Sequence, residues 1–438
     1  LKEFDYISAL ENSLYSGADS SEIYHSNEKI QLLMMKDNRI VTFNYKDVDY
    51  FGLRIIKDKC AGFASTTCSD NIGLFFDKAI ESSLYSSKIN WQLPTEKNAF
   101  SDSHIFDENL VNTCRHDMMN LGESICSKLQ KYCPEVNWDV NIENRVIRKR
   151  IINSHGVDAD YLRTFFAVII GGTLVGTDQI ISVFDYTSSS NFETIDFPEI
   201  IHGLSERIEF SKGKYKFTGK EKNILFTPNG FTSLIKALEH LIKPYLLKEK
   251  DSPLYNKQGM MIADSDITIY DDGLLEWGAM TSPVDDEGVP VRVTPIIESG
   301  IFKGGIGSTS EPDPVTGIST GNCFRNSDCR TQVKASTLVM NEGDLSFTKM
   351  VESMDSGIII DSLVGGFPRC DGEFSFTVQT GFGVKKGVIG GRIKDISISG
   401  NIFNVLQNIY SRGRGTKLCF DRYLMPSVIV ADCIRINR

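Results

Sequence analysis

Apolar and polar residues alternate along the first part of the chain in short runs: SSEIYHSN, KIQLLMMKD, RIVTFNYKD, DYFGLRIIKD and AGFASTT. A period of two is the signature of half-buried strands, and the pair Asp37-Asn38 reads as a turn between two of them. An antiparallel meander is the predicted arrangement. A helix is predicted before it, from Phe4 to Tyr15, and a second after it, from Ser69 to Ser83, with Ser69 or Asp70 as N-cap. The stretch Ser86 to Ser103 lacks periodicity and contains Pro94, so it reads as a linker.

The pattern then repeats in kind. A long helix is predicted from Phe106 through Tyr132, followed by the strands EVNWDVNIENRV, IRKRIINSHG, DADYLRTFFAVIIGG and DQIISVFDYTSSS, and a helix from Pro198 to Phe210. Beyond Lys220 comes one amphipathic helix, SLIKALEHLIKPY, and then a strand-rich region. Ser299-Gly300 and Lys386-Gly387 sit between apolar runs as hairpin turns, Asp344 to Met354 reads as a further helix, and SVIVADCIRI reads as a final strand. The expected fold class is α+β, not alternating βαβ. It comprises an N-terminal helix and antiparallel-sheet domain at 1–90, a middle α+β domain at 104–215 and a strand-rich C-terminal domain at 220–438.

Composition narrows the function. The 438 residues are 41% hydrophobic and 24% charged, with a net charge of −10. Such an acidic surface repels phosphate backbones, so nucleic acid is not an expected partner. The basic run RVIRKR, Arg145 to Arg150, reads as a solvated strand or turn. The segment LKEFDYISAL has no apolar secretion-type core, and no run approaches the ~18 apolar residues of a membrane span. With ten cysteines and no CxxC, the expectation is a cytoplasmic protein with reduced thiols.

Several motifs invite a chemical reading. In the amphipathic helix, Leu234, Leu238, Leu241 and Tyr245 form the apolar stripe, and Lys236, Glu239, His240 and Lys243 the polar face. Pro244 should stop or kink the helix. Catalytic zinc needs three protein ligands, and this helix offers one imidazole. The stretch GISTG, Gly317 to Gly321, matches a nucleophile elbow but lies between loop-like segments; a backbone-lined loop for an extended ligand, with Gly317, Ser319, Gly321 and Asn322, fits better. The glycines of GGIGSTS, Gly304 to Ser310, lack the lysine of a phosphate loop and read as a hairpin exit. Asp285, Asp286 and Glu287 lack the spacing of a calcium loop and read as a solvated turn.

Longer stretches carry a resemblance. DDEGVPVRVTPIIESGIFKGGI, STGNCFRNS, GDLSFTKMVESMDSGIIIDSLVGG and GVIGGRIKDISISGNIFNVLQNI resemble the C-terminal domain of the TldD/PmbA peptidase family, and GADSSEIYHSNEKIQLLMMKDNRI with YFGLRIIKDKCAGFASTT resembles its first domain. That resemblance implies two kinds of subunit. TldD-like chains bind a catalytic metal through an HExxxH helix and a later cysteine; PmbA-like chains, also called TldE, lack these groups and pair with TldD. Set against HExxxH, Ile235 takes the place of the first histidine, Lys236 that of the glutamate, and His240 that of the second histidine. Cys419 lies near the family's cysteine region with different neighbours. A lysine cation about 4 to 5 Å from a zinc dication would be repelled by several kcal/mol at an effective dielectric of about 20, and a protonated lysine accepts no proton from water.

The resemblance therefore implies a non-catalytic PmbA/TldE-like subunit of a two-component cytoplasmic metallopeptidase acting on unfolded peptides. The chain itself would carry no cofactor, a TldD-like partner would supply the metal, expected to be zinc, and a homodimer could form without it. The alternatives are a peptidase active alone, with metal on His240, Cys419 and a third group, and a regulator of a DNA enzyme of the gyrase-modulator type.

Overall fold

The computed structural model describes residues 5–68, 72–95, 104–176, 180–219, 221–366 and 369–437. The N-terminal half contains helix α1 (Tyr6–Tyr15), strands β1 (Ser20–Lys36), β2 (Arg39–Lys57) and β3 (Cys60–Thr66), and helix α2 (Ile72–Ser83). It continues with helices α3 (Glu108–Asn112) and α4 (Arg115–Tyr132), strands β4 (Asn137–Asn153), β5 (Asp158–Val175) and β6 (Ile180–Ser189), and helix α5 (Phe197–Lys212). The two predicted caps Ser69 and Asp70, and Phe4, lie outside the described residues.

Strands that look short in sequence are long. SSEIYHSN and KIQLLMMKD are one strand of 17 residues, and RIVTFNYKD and DYFGLRIIKD one of 19. EVNWDVNIENRV and IRKRIINSHG likewise merge into β4. No turn residue with positive φ interrupts them; the reversals come at Asp37-Asn38 (φ 49° and 62°) and Asp58-Lys59 (φ 52° and 63°). The helix read from Phe106 to Tyr132 is instead two, because Asp107 caps α3 and Asp117 accepts from the Cys114 amide to start α4 afresh.

The sheet order is β3-β2-β1-β4-β5-β6. Strand β1 pairs with β4 from Glu22↔Asn153 to Met35↔Val140, so strands from the first two sequence units share one sheet. Helices α4 and α5 cover part of it over a core that includes Leu129, Trp138, Phe166 and Leu204. The stretch read as a linker is tied down in its first part. Ile89 donates to the Lys59 carbonyl at 2.8 Å, Leu93 is buried, and the Asn153 amide donates to the Pro94 carbonyl at 2.9 Å. Residues 96–103 lie outside the described residues.

The C-terminal half contains an eight-stranded sheet, a six-stranded sheet and a two-stranded pair, Cys323–Arg325 with Thr331–Val333. Strand β7 (Asn223–Phe226) lies in an eight-stranded sheet between Ser356–Val364, parallel to it, and Val428–Ala431, antiparallel. A six-stranded sheet contains Ile269–Asp272, Leu338–Met340 and Tyr423–Met425. Helix α6 (Pro228–Leu241) contributes to one large core with residues of both sheets. Both predicted hairpins are present, with φ of 49° and 79° at Ser299-Gly300 and 52° and 73° at Lys386-Gly387. The helix predicted from Asp344 to Met354 spans Phe347–Glu352 with Ser346 as N-cap. The segment predicted as one final strand forms two, Val428–Ala431 and Arg435–Asn437, in different places in the same sheet.

The acidic turn is not solvated. Asp285, Asp286 and Glu287 are all buried. Glu287 meets Arg54 of β2 at 2.6 Å, and Arg54 meets Glu22, its cross-strand neighbour on β1, at 2.8 Å. Arg325 also contacts Glu22. Lys149, from the basic run, meets Asp286 at 2.7 Å, whereas Arg148 and Arg150 pair with Asp160 and Asp158. Asp285 accepts the amides of Glu287, Val289 and Cys323. The turn joins the C-terminal half to the N-terminal sheet through ions that have exchanged water for each other.

Candidate functional site

Helix α6 starts where Thr227 caps the Gly230 amide at 3.3 Å and Pro228 occupies the first turn. Gly230 allows close packing: a Cβ there would lie 2.3 Å from the Ile360 carbonyl. The helix ends at Leu241, and Pro244 opens a separate short turn. Of its expected polar face, Glu239 is buried and Lys236, His240 and Lys243 are half-buried. Leu234, Leu238 and Leu241 are buried as predicted, but so are Ile235, Ala237 and Glu239. Of the predicted stripe only Tyr245 is exposed.

Glu239 is buried and, among the described residues, forms no ion pair. It accepts from the Ala335 amide at 3.2 Å and from the Tyr423 hydroxyl. Burial, then the Glu239 carboxylate, raises Tyr423 above its ordinary value. Lys236 is half-buried, with its ammonium 4.1 Å from the Phe420 ring centre and 5.8 Å from that of Tyr423. Burial lowers its pKa, against the opposing pull of Glu239 and Cys419. His240 is half-buried; its Nδ1 and the Tyr245 hydroxyl are 3.2 Å apart, and burial followed by Lys243 lowers its pKa.

Cys419 is fully buried and its thiol donates to Asn229 Oδ1 at 3.1 Å. Burial pushes it up to about 12, so it is neutral at ordinary pH. Asn229 lies in the first turn of α6 and His240 in the last, about 16 Å apart along the axis at 1.5 Å per residue. Cys419 and His240 therefore meet opposite ends of the helix. Ile235 is closed in the core. Among the described residues, no three His, Cys, Asp or Glu side chains are grouped so as to hold an ion. This donor set does not fit a metal of the HExxxH kind.

The glycine-rich loop is divided. Its tip, Gly317 to Ser319, reaches solvent, and the Ser319 carbonyl accepts from Arg292 at 2.9 Å. No helix follows Ser319, as an elbow would require. Gly321 has φ 79° and packs against the Pro290 backbone. Asn322 faces the interior instead of a cleft, donating to Asp271 at 2.6 Å and to the Lys334 carbonyl at 3.1 Å. Asp271 had no local signal in the sequence. It is buried, its Oδ1 has no hydrogen-bond partner, and burial raises it to about 7.

A cavity of about 640 Å³ opens between the two halves. Strand β6 and helix α5 supply one wall, and Ser356–Val364, residues 414–418 and the start of α6 the other. Arg207 bridges Asp185 at 2.6 Å and Asp361 at 3.3 Å, and Lys417 also contacts Asp185. Burial alone would raise Asp185, but these two cations hold it below its ordinary value. Trp277, also in the lining, has φ 56° and stacks on His104. These charges were missed in sequence because their partners are far apart along the chain.

Residues 218–436 match the PmbA/TldA metallopeptidase C-terminal domain, and residues 21–83 match domain 1 of the same family. This chain belongs to the PmbA/TldD metallopeptidase family. It is similar to a metalloprotease of Methanothermobacter thermautotrophicus, with 22% identity over 94% of this chain and 92% of that protein. It is also similar to the metalloprotease PmbA homolog of Buchnera aphidicola, with 26% identity over 63% of this chain and 66% of that protein. Among solved structures, TldE from Thermococcus kodakarensis has a TM-score of 0.89 at 20% identity, covering 98% of this chain and 99% of that one. A structure from Thermotoga maritima described as a putative modulator of a DNA gyrase has a TM-score of 0.88 at 20% identity, covering 98% of each chain. The PmbA/TldD fold thus extends over nearly the whole chain. None of the helices among the described residues is long and apolar enough to cross a membrane.

Proposed function

We propose that this chain is a non-catalytic, PmbA/TldE-like subunit of a two-component cytoplasmic peptidase. A TldD-like partner supplies the catalytic metal, zinc, and this chain helps to enclose and hold unfolded peptides. The observation that carries the reading is the state of α6. At the positions of the family's first ligand and general base stand Ile235, sealed in the core, and Lys236, whose ammonium rests on Phe420. The first offers no lone pair, and the second puts a cation where a dication would need a ligand and a base. The cavity beside edge strand β6 is of a size to admit an extended segment, which main-chain hydrogen bonds could hold with little sequence preference.

Elemental analysis of the purified chain tests the metal part of this reading. The expected result is no stoichiometric zinc. About one zinc per chain, lost in His240→Ala, would overturn it.

A further inference from the structure

At the end of α6 three separate segments of chain are fastened side by side. Glu239 accepts from the Ala335 amide and from the Tyr423 hydroxyl, and the Arg422 guanidinium donates to the Ala335 carbonyl at 3.1 Å. Each segment brings basic side chains to this joint: Lys236, His240 and Lys243 from the helix side, Lys334 from the second segment, Arg422 from the third. All five are half-buried. Among the described residues, no carboxylate pairs with Lys236, Lys243, Lys334 or Arg422. Lys236 rests on Phe420 and Tyr423, and Arg422 lies 5.5 Å from the Phe324 ring centre. Glu239 is buried and already accepts two hydrogen bonds.

We propose that this cationic cluster at the end of α6 is a binding site for the C-terminal carboxylate of a peptide. The proposal rests on the peptide-handling role given above and adds a substrate end to it. Charge complementarity selects the ligand. In a chain of net charge −10, four basic side chains around the single carboxylate of Glu239 leave a local excess of positive charge. A carboxylate satisfies ammonium and guanidinium donors together and gains most where water is partly displaced. The mutual repulsion is visible in Lys334, whose pKa is lowered by burial first and then by Arg422 and Lys243. The aromatic rings beside Lys236 and Arg422 give the body of a terminal residue an apolar surface to lie on. Lys243 and Lys334 have neither a hydrogen-bond acceptor nor an aromatic ring at their ammonium groups among the described residues.

The test uses the full chain alone, without any partner, and a short, uncharged, unstructured peptide labelled at its N-terminus. Fluorescence anisotropy compares the free acid with the C-terminal amide and with an amidated peptide carrying one internal aspartate. The free acid should bind about tenfold more tightly than either amide, with a preference that shrinks as salt is raised. That preference should collapse in Lys243→Gln/Lys334→Gln and persist in Lys334→Arg, with melting temperatures checking that each variant is folded. Equal affinity for acid and amide, no peptide binding at all, or full preference retained in the folded double variant would overturn the proposal. Equal binding of the internal aspartate would overturn the assignment to a chain end. The acid–amide comparison on the unaltered chain stands even if a variant fails to fold. Because neither partner nor cleavage enters the readout, failure to pair with a TldD-like chain would leave this result untouched.

Discussion

Two charged regions of the molecule obey opposite rules. At the junction between the N-terminal sheet and the acidic turn, Glu22, Arg54, Glu287, Arg325, Lys149 and Asp286 each face an opposite charge at ion-pair distance. At the end of α6, Lys236, Lys243, Lys334 and Arg422 face aromatic rings, main-chain carbonyls and one another. The difference follows from burial. Ions taken fully out of water must be paired, because an isolated buried charge costs several kcal/mol. Half-buried cations keep enough solvent to persist on ring faces alone. The first region is consumed in holding the structure together. The second leaves its cations without ion pairs among the described residues.

The sharpest way to break the comparison is to remove one ion from the paired region. Arg54→Met strands Glu287 and leaves Glu22 with Arg325 alone, and should cost about 3–5 kcal/mol. A lowered urea midpoint measures this; an unchanged midpoint would show that the junction is not a structural joint. A lone buried acid is the intermediate case. Asp271 has a folded pKa of about 7 against an ordinary 3.8. Below about pH 4 it is neutral in both folded and unfolded chains. As pH rises toward 7 the unfolded chain ionises first, so stability is lost over that window and the loss is complete above it. Asp271→Asn keeps an acceptor for Asn322 and removes the titration. Its stability relative to the unaltered protein should therefore rise from pH 4 to pH 8, by at most about 4 kcal/mol. A pH-independent difference would show that the carboxyl is not held neutral.

The smallest effect is expected in the unpaired region. Lys243→Gln and Lys334→Gln should each change stability by no more than about 0.5 kcal/mol, or raise it slightly by relieving repulsion. Thermal unfolding reads this directly. A loss as large as that of Arg54→Met would mean that a counter-charge does face the cluster, and the contrast between the regions would fail.

Sequence reading reached the elements that local chemistry decides. Asp37-Asn38, Ser299-Gly300 and Lys386-Gly387 announce their turns because left-handed backbone favours Asp, Asn and Gly. The family was legible through the order of its segments. What could not be read were consequences of contacts between residues far apart in the chain. Asp285, Asp286 and Glu287 look like a solvated turn until Arg54 and Lys149 arrive from the N-terminal sheet. Glu239 looks like a surface acid until Ala335 and Tyr423 supply its donors. Helix α6 has the periodicity of a one-sided helix, but part of its polar face is occupied by another segment of the chain. The same reason hides Lys334 and Arg422, which join the helix only through the Glu239 and Ala335 hydrogen bonds.

The central claim is that α6 carries the family's fold without its metal chemistry, so that this chain acts only through a partner. The direct measurement offers an unstructured peptide to this chain, to a TldD-like chain from the same source, and to the two mixed, with and without chelator. Chelator-sensitive cleavage by the mixture, with none by this chain alone, is the result predicted. Cleavage by this chain alone, or failure of the two folded chains to associate, would contradict it.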